Sequence, residues 1–293
     1  MFAFVFEAFS ISHTFVAMRS LDPKTLPIPK LHGYLLGAVA PRPICFASTV
    51  DQEGNVNLSP YSFFNVFSAN PPIMVFSPAR RVRDNTTKHT LENVLETKEV
   101  VINVVTYGMV QQMSLSSTEY PKGVNEFVKA GFTEVPSVKV KPPRVKEAPV
   151  QFECKVNEVI SLGNEGGAGN LVVREVLQLH IDEAILDEAD TIDPFKIDTV
   201  SRLGGNWYSR AKNGLFEVPK PLRTMGIGVD ALPEGIRNSS VLTGNDLGML
   251  ANVEALPEAS SAGYASDAVV HQKVRKVLQE GNVNEAWKML TNT

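Results

Sequence analysis

The sequence predicts a mainly β fold: an antiparallel barrel with short helices, followed by a loop-rich, partly helical C-terminal extension. Three observations predict it. Short runs rich in β-branched and aromatic residues succeed one another from about Ile44 to Leu186, with turn residues between them. Within VQFECKV, Val150, Phe152, Cys154 and Val156 alternate with Gln151, Glu153 and Lys155, the period-two pattern of a strand with one buried face. The runs are interrupted only by short helices and turns, a pattern of an antiparallel barrel rather than a doubly wound parallel sheet, and no Gly-x-Gly-x-x-Gly, Walker, Gly-x-Ser-x-Gly or His-Glu-x-x-His pattern occurs.

The elements follow in order. ICFASTV (residues 44–50) is a strand ended by DQEGN, whose Asp, Gly and Asn suit a hairpin turn. PIMVFS (72–77) is a second strand, with the double proline confined to its entrance. KHTLENVLETK has helical spacing, with Leu91, Val94 and Leu95 on one face, and EVVINVV (99–105) returns as a buried strand. Two short helices are expected in YGMVQQMSLSS and VNEFVKAG. VQFECKV then leads through GNEGGAGN into LVVREVLQLHID, which places Leu171, Val173, Leu177, Leu179 and Ile181 on one face. The glycine-rich turn lies between two strands rather than before a helix, so it reads as a hairpin and not as a phosphate loop.

After about residue 220 the character changes. GIGVDALPEGIRNSSVLTGNDLGMLANVEALPEASS is rich in Gly, Pro, Asn and Ser and reads as ordered loop. DAVVHQKVRKVLQEG and NEAWKML read as helices, with Val270, Val274, Val277 and Leu278 forming a packing stripe. This extension, 220–293, is expected to lie against the barrel or a second subunit. At the other end, MFAFVFEAFSISHTFVAM is apolar, yet it lacks a basic start, carries Glu7 and is short for a membrane span. Residues 1–17 are therefore expected to be a loosely attached extension, with the folded domain beginning at Met18 in a cytoplasmic protein.

Composition narrows the function classes. The chain has 293 residues and a formal net charge of −4, which argues against a general nucleic-acid binder. Cys45 and Cys154 both sit in apolar runs and read as buried thiols. The five histidines show no zinc-type spacing.

The segment NLSPYSFFNVFSANPPIMVFSPARRVRDNTTKHT (57–90) has another character. Thr86, Thr87, Lys88 and Thr90 lie at a helix start just after Arg80, Arg81 and Arg83. Backbone N–H groups, hydroxyls and cations converge there as they do on a phosphate. A capped surface helix with solvated arginines would show the same residues. The neighbouring segment combines Ser59, Ser62 and Asn65 with Tyr61, Phe63 and Phe64 beside a proline-stiffened turn, a combination suited to a flat heterocycle. Together these residues point to an aromatic ligand carrying a phosphate.

The succession GAVAPRPICFASTVDQEGNVNLSPYSFFNVFSANPPIMVFSPARR, TKHTLENV and EVVINVV resembles the flavin reductase-like, FMN-binding split-barrel family. FVKAGFT, APVQFECKV and RLGGNWYSR are similar to its pattern as well, so the likeness runs from about Leu31 to Pro219. It implies an FMN-binding domain over 18–219, built as a six-stranded antiparallel split barrel of Greek-key type. It also implies a homodimer with FMN near the interface. By that resemblance Arg42, Ser48 and Thr49 lie around the cofactor, and Ser59, Tyr61, Ser62, Phe63, Phe64 and Asn65 line the isoalloxazine. Ser77, Arg83, Lys88 and Thr90 take the phosphate. The implied activity is that of an NAD(P)H-dependent flavin reductase, with NADH or NADPH as transient donor and free flavin, a partner oxygenase or another acceptor receiving the electrons. An electron carrier of flavoredoxin type without nicotinamide turnover is the alternative. A bare dimeric interaction module is a third reading.

One departure bears on that choice. Many NADH-using members carry Gly-Asp-His before a strand ending in Gly-Glu-Val; here the His position is Gly169 and the Gly position Arg174. His180, further along the same strand, is one candidate substitute, although a lone strand histidine is more often structural. Arg202 and Tyr208 in RLGGNWY are candidates for the open side of the flavin, where Gly204 and Gly205 permit close approach. A turn holding Trp207 in the core is the competing reading of that motif.

Overall fold

The computed structural model describes residues 18–218, 220–221 and 224–291, so the expected N-terminal extension lies outside the described residues. The chain divides into two compact units, the second beginning at Phe216. In order, the first contains α1 (Ile28–Ala38), β1 (Arg42–Pro43), β2 (Cys45–Val50), β3 (Val56–Tyr61), β4 (Phe64–Ala69), β5 (Pro72–Phe76), α2 (His89–Thr97) and β6 (Glu99–Val104). There follow α3 (Val110–Leu115), α4 (Glu126–Ala130), β7 (Glu134–Val135), β8 (Arg144–Val145), β9 (Val150–Ser161), β10 (Asn170–Ile181), β11 (Val200–Arg202) and β12 (Tyr208–Arg210).

Seven strands form one antiparallel sheet in the order β3-β2-β6-β9-β10-β5-β4, one more than the resemblance implied. The order explains the shape. β3 and β4 are opposite edges of the sheet, yet only Ser62 and Phe63 join them. Two residues cannot span an open sheet of strands spaced about 4.8 Å apart, so the sheet must curl until its edges meet, leaving the split between β3 and β4. β1, β11 and β12 form a separate small sheet, pairing Arg42 with Arg202 and Arg202 with Tyr208.

β2 shows why the barrel holds. Cys45 and Ala47 join the cluster that includes Tyr61, Phe76, Val100, Cys154 and the α2 residues Leu91 and Val94. Ile44 and Phe46 face the other way, into a second cluster with Leu58, Met109, Met113 and Phe127. Every residue of β2 is buried because layers cover both of its faces. Each large apolar side chain enclosed in this way contributes about 1.5–3 kcal/mol relative to exposure.

Several expectations need correction. β9 does not have one wet face: Gln151 and Glu153 are buried along with Val150 and Cys154. The chain over 136–148 covers them, with Gln151 Nε2 donating to the carbonyls of Val145 (3.0 Å) and Ala148 (2.8 Å). On β10 the deeply buried positions are Asn170, Val172 and Arg174, whereas Leu177 and Leu179 are each more than 40% exposed. Irregularities in the β9–β10 register between Val173 and Arg174, and between Val176 and Gln178, break the simple alternation. α1 was not foreseen, its prolines and glycines masking an apolar helix that buries none of its residues.

The second unit contains α5 (Glu234–Arg237), α6 (Gly244–Ala251), α7 (Ala268–Gln279) and α8 (Val283–Thr291). Its own core includes Ile236, Leu250, Val274, Leu278, Trp287 and Leu290. α7 and α8 match the sequence reading, but α6 falls in the stretch read as loop. A reciprocal cap starts it: Asp246 N donates to Thr243 Oγ1 (3.3 Å) and Thr243 N to Asp246 Oδ2 (2.7 Å). Among the described residues no helix is long and apolar enough to cross a membrane.

Candidate functional site

The alternation of β3 sends Leu58 into the core and presents Asn57, Ser59 and Tyr61 to a cleft. The opposite wall is the start of α2, with Lys88, His89 and Thr90, and Arg81 closes one side. Asn57 Nδ2 donates to Thr90 Oγ1 at 2.8 Å and so ties the two walls together. Asn93 Nδ2 donates to Thr49 Oγ1 at 3.0 Å, fixing α2 on β2 from within. Lys88 Nζ stands 6.0 Å from the Tyr61 ring centroid. Burial, and then the Arg81 charge, hold the Lys88 ammonium below its ordinary pKa. Burial pushes the Tyr61 phenol up to about 12, so it stays protonated and able to donate.

Arg81 is placed by its own loop. Its Nη1 donates to Thr86 Oγ1 at 3.0 Å and to the Thr87 carbonyl. The loop in turn rests on the glycine-rich hairpin: Arg80 N donates to the Ala168 carbonyl (2.8 Å) and Gly167 N to the Arg80 carbonyl (3.0 Å). A Cβ at Gly166 would lie 3.1 Å from the Arg81 carbonyl and Val82 backbone. The glycines thus admit the arginine loop at close range. GNEGGAGN is a β9–β10 hairpin, as its position between strands implied.

The structure gathers Ser59, Tyr61, Lys88 and Thr90 in this cleft and distributes the other expected site residues around it. Arg42 is buried with its guanidinium on carbonyls, those of Leu36 (2.6 Å), Val39 and Leu203 (3.0 Å), and its Nε reaches Ser62 Oγ at 3.5 Å. Ser48 and Thr49 are fully buried, and Ser48 Oγ has no hydrogen-bond partner among the described residues. Phe63 is exposed and meets His32 edge-on at 6.3 Å, while Asn65 is exposed beside it. Phe64 lies over the Arg174 guanidinium at 5.4 Å. Ser77 Oγ accepts from Asn170 N at 3.1 Å. Arg83 is an exposed partner of Asp84 (3.0 Å) and Glu119 (3.1 Å), outside the cleft lining.

Of the remaining candidates, His180 Nε2 is 2.7 Å from Glu153 Oε1, in a pair that braces β9 and β10. Arg202 stacks on Tyr208 at 4.6 Å and donates to the Trp207 carbonyl at 3.3 Å. Tyr208 also borders a separate cavity of about 200 Å³ with Tyr107, Gln111 and Arg210. Trp207 is 75% exposed, so the turn does not hold it in a core. Gly205 occupies φ +59°, which accounts for that glycine, whereas a Cβ at Gly204 would make only ordinary contact with the Gly37 backbone at 3.5 Å.

Sequence reasoning missed one wall entirely. Ser116, Ser117, Thr118, Glu119 and Tyr120 follow α3 and line the cleft with Glu126 of α4. Ser116 Oγ donates to the Met113 carbonyl (2.7 Å) and Ser117 Oγ to that of Ser114, so their donors are committed to α3. Glu126 accepts from Leu58 N at 2.9 Å, and burial raises its carboxyl above the usual range.

Comparison with known proteins agrees with the fold. Residues 37–194 match the model of the flavin reductase like domain. An uncharacterised protein of Aquifex aeolicus is 40% identical over 181 residues, covering 62% of this chain and 90% of its own. The crystal structure of nitrilotriacetate monooxygenase component B from Bacillus cereus superposes with a TM-score of 0.65 at 29% identity, covering 69% of this chain and 99% of that one. The 2-nitrobenzoate 2-nitroreductase of Pseudomonas fluorescens gives 0.63 at 26% identity, covering 72% and 100%. With the family match spanning more than half of its length, and a curled antiparallel sheet beneath it, the chain belongs to the flavin reductase-like family.

Proposed function

We propose that the chain binds FMN and is an NAD(P)H-dependent, flavin reductase-like oxidoreductase, passing electrons through FMN to free flavin or another acceptor. The observation that carries this reading is the cleft at the head of α2, where Lys88, Arg81 and Thr90 face the hydroxyl-bearing side of β3 beside the barrel split. The donor set suits a phosphate monoester: a guanidinium fork, an ammonium and a hydroxyl at a helix start. FMN, when bound, supplies a centre that accepts hydride from NADH or NADPH. The protein's part is to hold and shield it. Lys88 and Thr90 retain the phosphate, and the chain from Ser59 to Asn65 runs beside the ring and excludes water from it. Arg42 and Ser77 act through the backbone they pin.

Likeness to a monooxygenase component and to a nitroreductase supports a redox role, with a partner oxygenase among the acceptors. The exposed apolar side chains of α1, Ile28, Tyr34 and Leu35, support a homodimer. A second reading, an FMN electron carrier without nicotinamide turnover, is favoured by Gly169. A Cβ there would stand 2.6 Å from Ser77 Oγ, so the histidine found in many NADH-using relatives would have to displace that hydroxyl.

Purification followed by anaerobic titration separates these readings. A yellow protein bleached by NADH or NADPH supports the reductase, and a yellow protein that neither bleaches supports the carrier. A colourless protein that leaves FMN fluorescence unquenched defeats both. Lys88→Ala combined with Thr90→Ala is expected to weaken FMN at least about tenfold more than riboflavin, because charge-assisted bonds contribute about 1.5–3 kcal/mol each. Equal losses for both ligands would remove the phosphate assignment.

A further inference from the structure

Glu119 belongs to the wall of the cleft that the sequence did not reveal, and its carboxylate faces the wrong way for an anion site. Its Oε1 is 3.1 Å from Arg81 Nε and its Oε2 is 3.1 Å from Arg83 Nη2. Arg81 does not depend on this contact for its position, because Thr86 and the Thr87 carbonyl already hold the guanidinium. The arginine is largely enclosed, with 17% of its side chain exposed, whereas Glu119 retains 46%. The cavity in the cleft measures about 30 Å³, room for ordered water beside the arginine. A carboxylate and a phosphate dianion on the same guanidinium would repel each other across a few ångströms.

We infer that Glu119 is an internal counter-ion holding the place of a phosphate monoester, and that its displacement from Arg81 is part of how the cleft selects a phosphorylated ligand. The inference rests on the FMN reading and deepens it. A phosphate takes Arg81 and Lys88, and Glu119 turns outward on its exposed side chain towards Arg83, which is 72% exposed and held at its base by Asp84. The hydrogen bonds of Ser116 and Ser117 to α3 anchor the backbone just before Glu119, so the movement is confined to the side chain.

The test is fluorescence titration of flavin-free protein with FMN and with riboflavin, for wild type, Glu119→Gln, Arg81→Gln and the double variant. Glu119→Gln is expected to tighten FMN by about two- to fivefold, the scale of one partly exposed ion pair, and to leave riboflavin within experimental error. In the Arg81→Gln background the gain should vanish, since no guanidinium remains to compete for. An FMN affinity unchanged or weakened by Glu119→Gln overturns the inference, as does a gain that persists without Arg81. An equal gain for riboflavin overturns it too, by showing a general opening of the cleft. If wild type binds neither ligand, the FMN reading fails and the inference falls with it.

Discussion

Asn57 Nδ2 donates to Thr90 Oγ1 at 2.8 Å, a bond across 33 residues of sequence that sets the width of the cleft between β3 and α2. Both residues are largely buried where they line the cleft. Asn57→Leu is expected to cost about 1–3 kcal/mol, the penalty for leaving a buried polar partner unmatched. It should also weaken FMN more than riboflavin, since the wall it loosens is the phosphate wall. Urea denaturation and paired titrations measure the two effects. A variant of unchanged stability would show that the bond is dispensable.

Ser77 and Gly169 make a second coupled pair. Because a Cβ at Gly169 would come within 2.6 Å of Ser77 Oγ, Gly169→Ala should destabilise the protein by about 1–3 kcal/mol through overpacking. Ser77→Ala deprives Asn170 N of its acceptor but clears the space. The double variant should therefore lose less than the sum of the single losses. Simple additivity in a denaturation cycle would contradict the steric account.

Glu153 gives the protein a predictable acid sensitivity. Burial pushes its carboxyl up, but the N–H groups of Val138 (2.9 Å) and Lys139 (2.5 Å), with His180, outweigh this and hold it below the ordinary value of 4.5. A carboxyl depressed in the folded state stabilises fully above its unfolded pKa, and the contribution disappears as pH falls through the folded one. The stability difference between wild type and Glu153→Gln should thus be constant near neutrality and shrink below about pH 4.5. Denaturation at pH 7, 5 and 3.5 would show it. A difference that grows in acid would reverse the assignment.

Arg174 is fully buried, and its Nε and Nη2 have no hydrogen-bond partner among the described residues. Cys45 and Cys154 lie beside it, but burial pushes their thiols up to about 12 and about 11, so they remain neutral and supply no counter-charge. The Phe76 ring at 4.6 Å and the Phe64 ring at 5.4 Å offset only part of the desolvation. Replacing such a cation by a packed hydrophobe is commonly neutral or stabilising. Arg174→Met should accordingly leave stability unchanged or raise it by up to about 2 kcal/mol. A loss above about 1 kcal/mol would mean that the guanidinium is satisfied in solution.

These residues also show what could be read in advance. The barrel strands and α2 were legible because local apolar spacing and turn residues specify them. Lys88 and Thr90 stood out as a cation and a hydroxyl at a helix start, and both line the cleft, although a capped surface helix would show the same residues. Glu119 was not, since its place in the cleft depends on how α3 packs against β3, and no local pattern encodes that. The two faces of β10 were misassigned because register irregularities change the alternation partway along the strand. Glu153 looked like a surface carboxylate until the chain over 136–148 was seen to cover it. α6 had its signal in Thr243 and Asp246, but the neighbouring glycines argued for loop.

Arg42 joins parts of the chain that are far apart: α1 just before it, Ser62, and the Leu203 carbonyl 161 residues away. Closing so long a loop is costly in entropy, and this contact is expected to form late in folding. Its stabilisation is therefore largely absent from the folding transition state and acts on the rate of escape from the native state. Arg42 is in that sense a latch on the lifetime of the fold: Arg42→Lys should let the protein open faster while leaving the speed of its assembly almost unchanged.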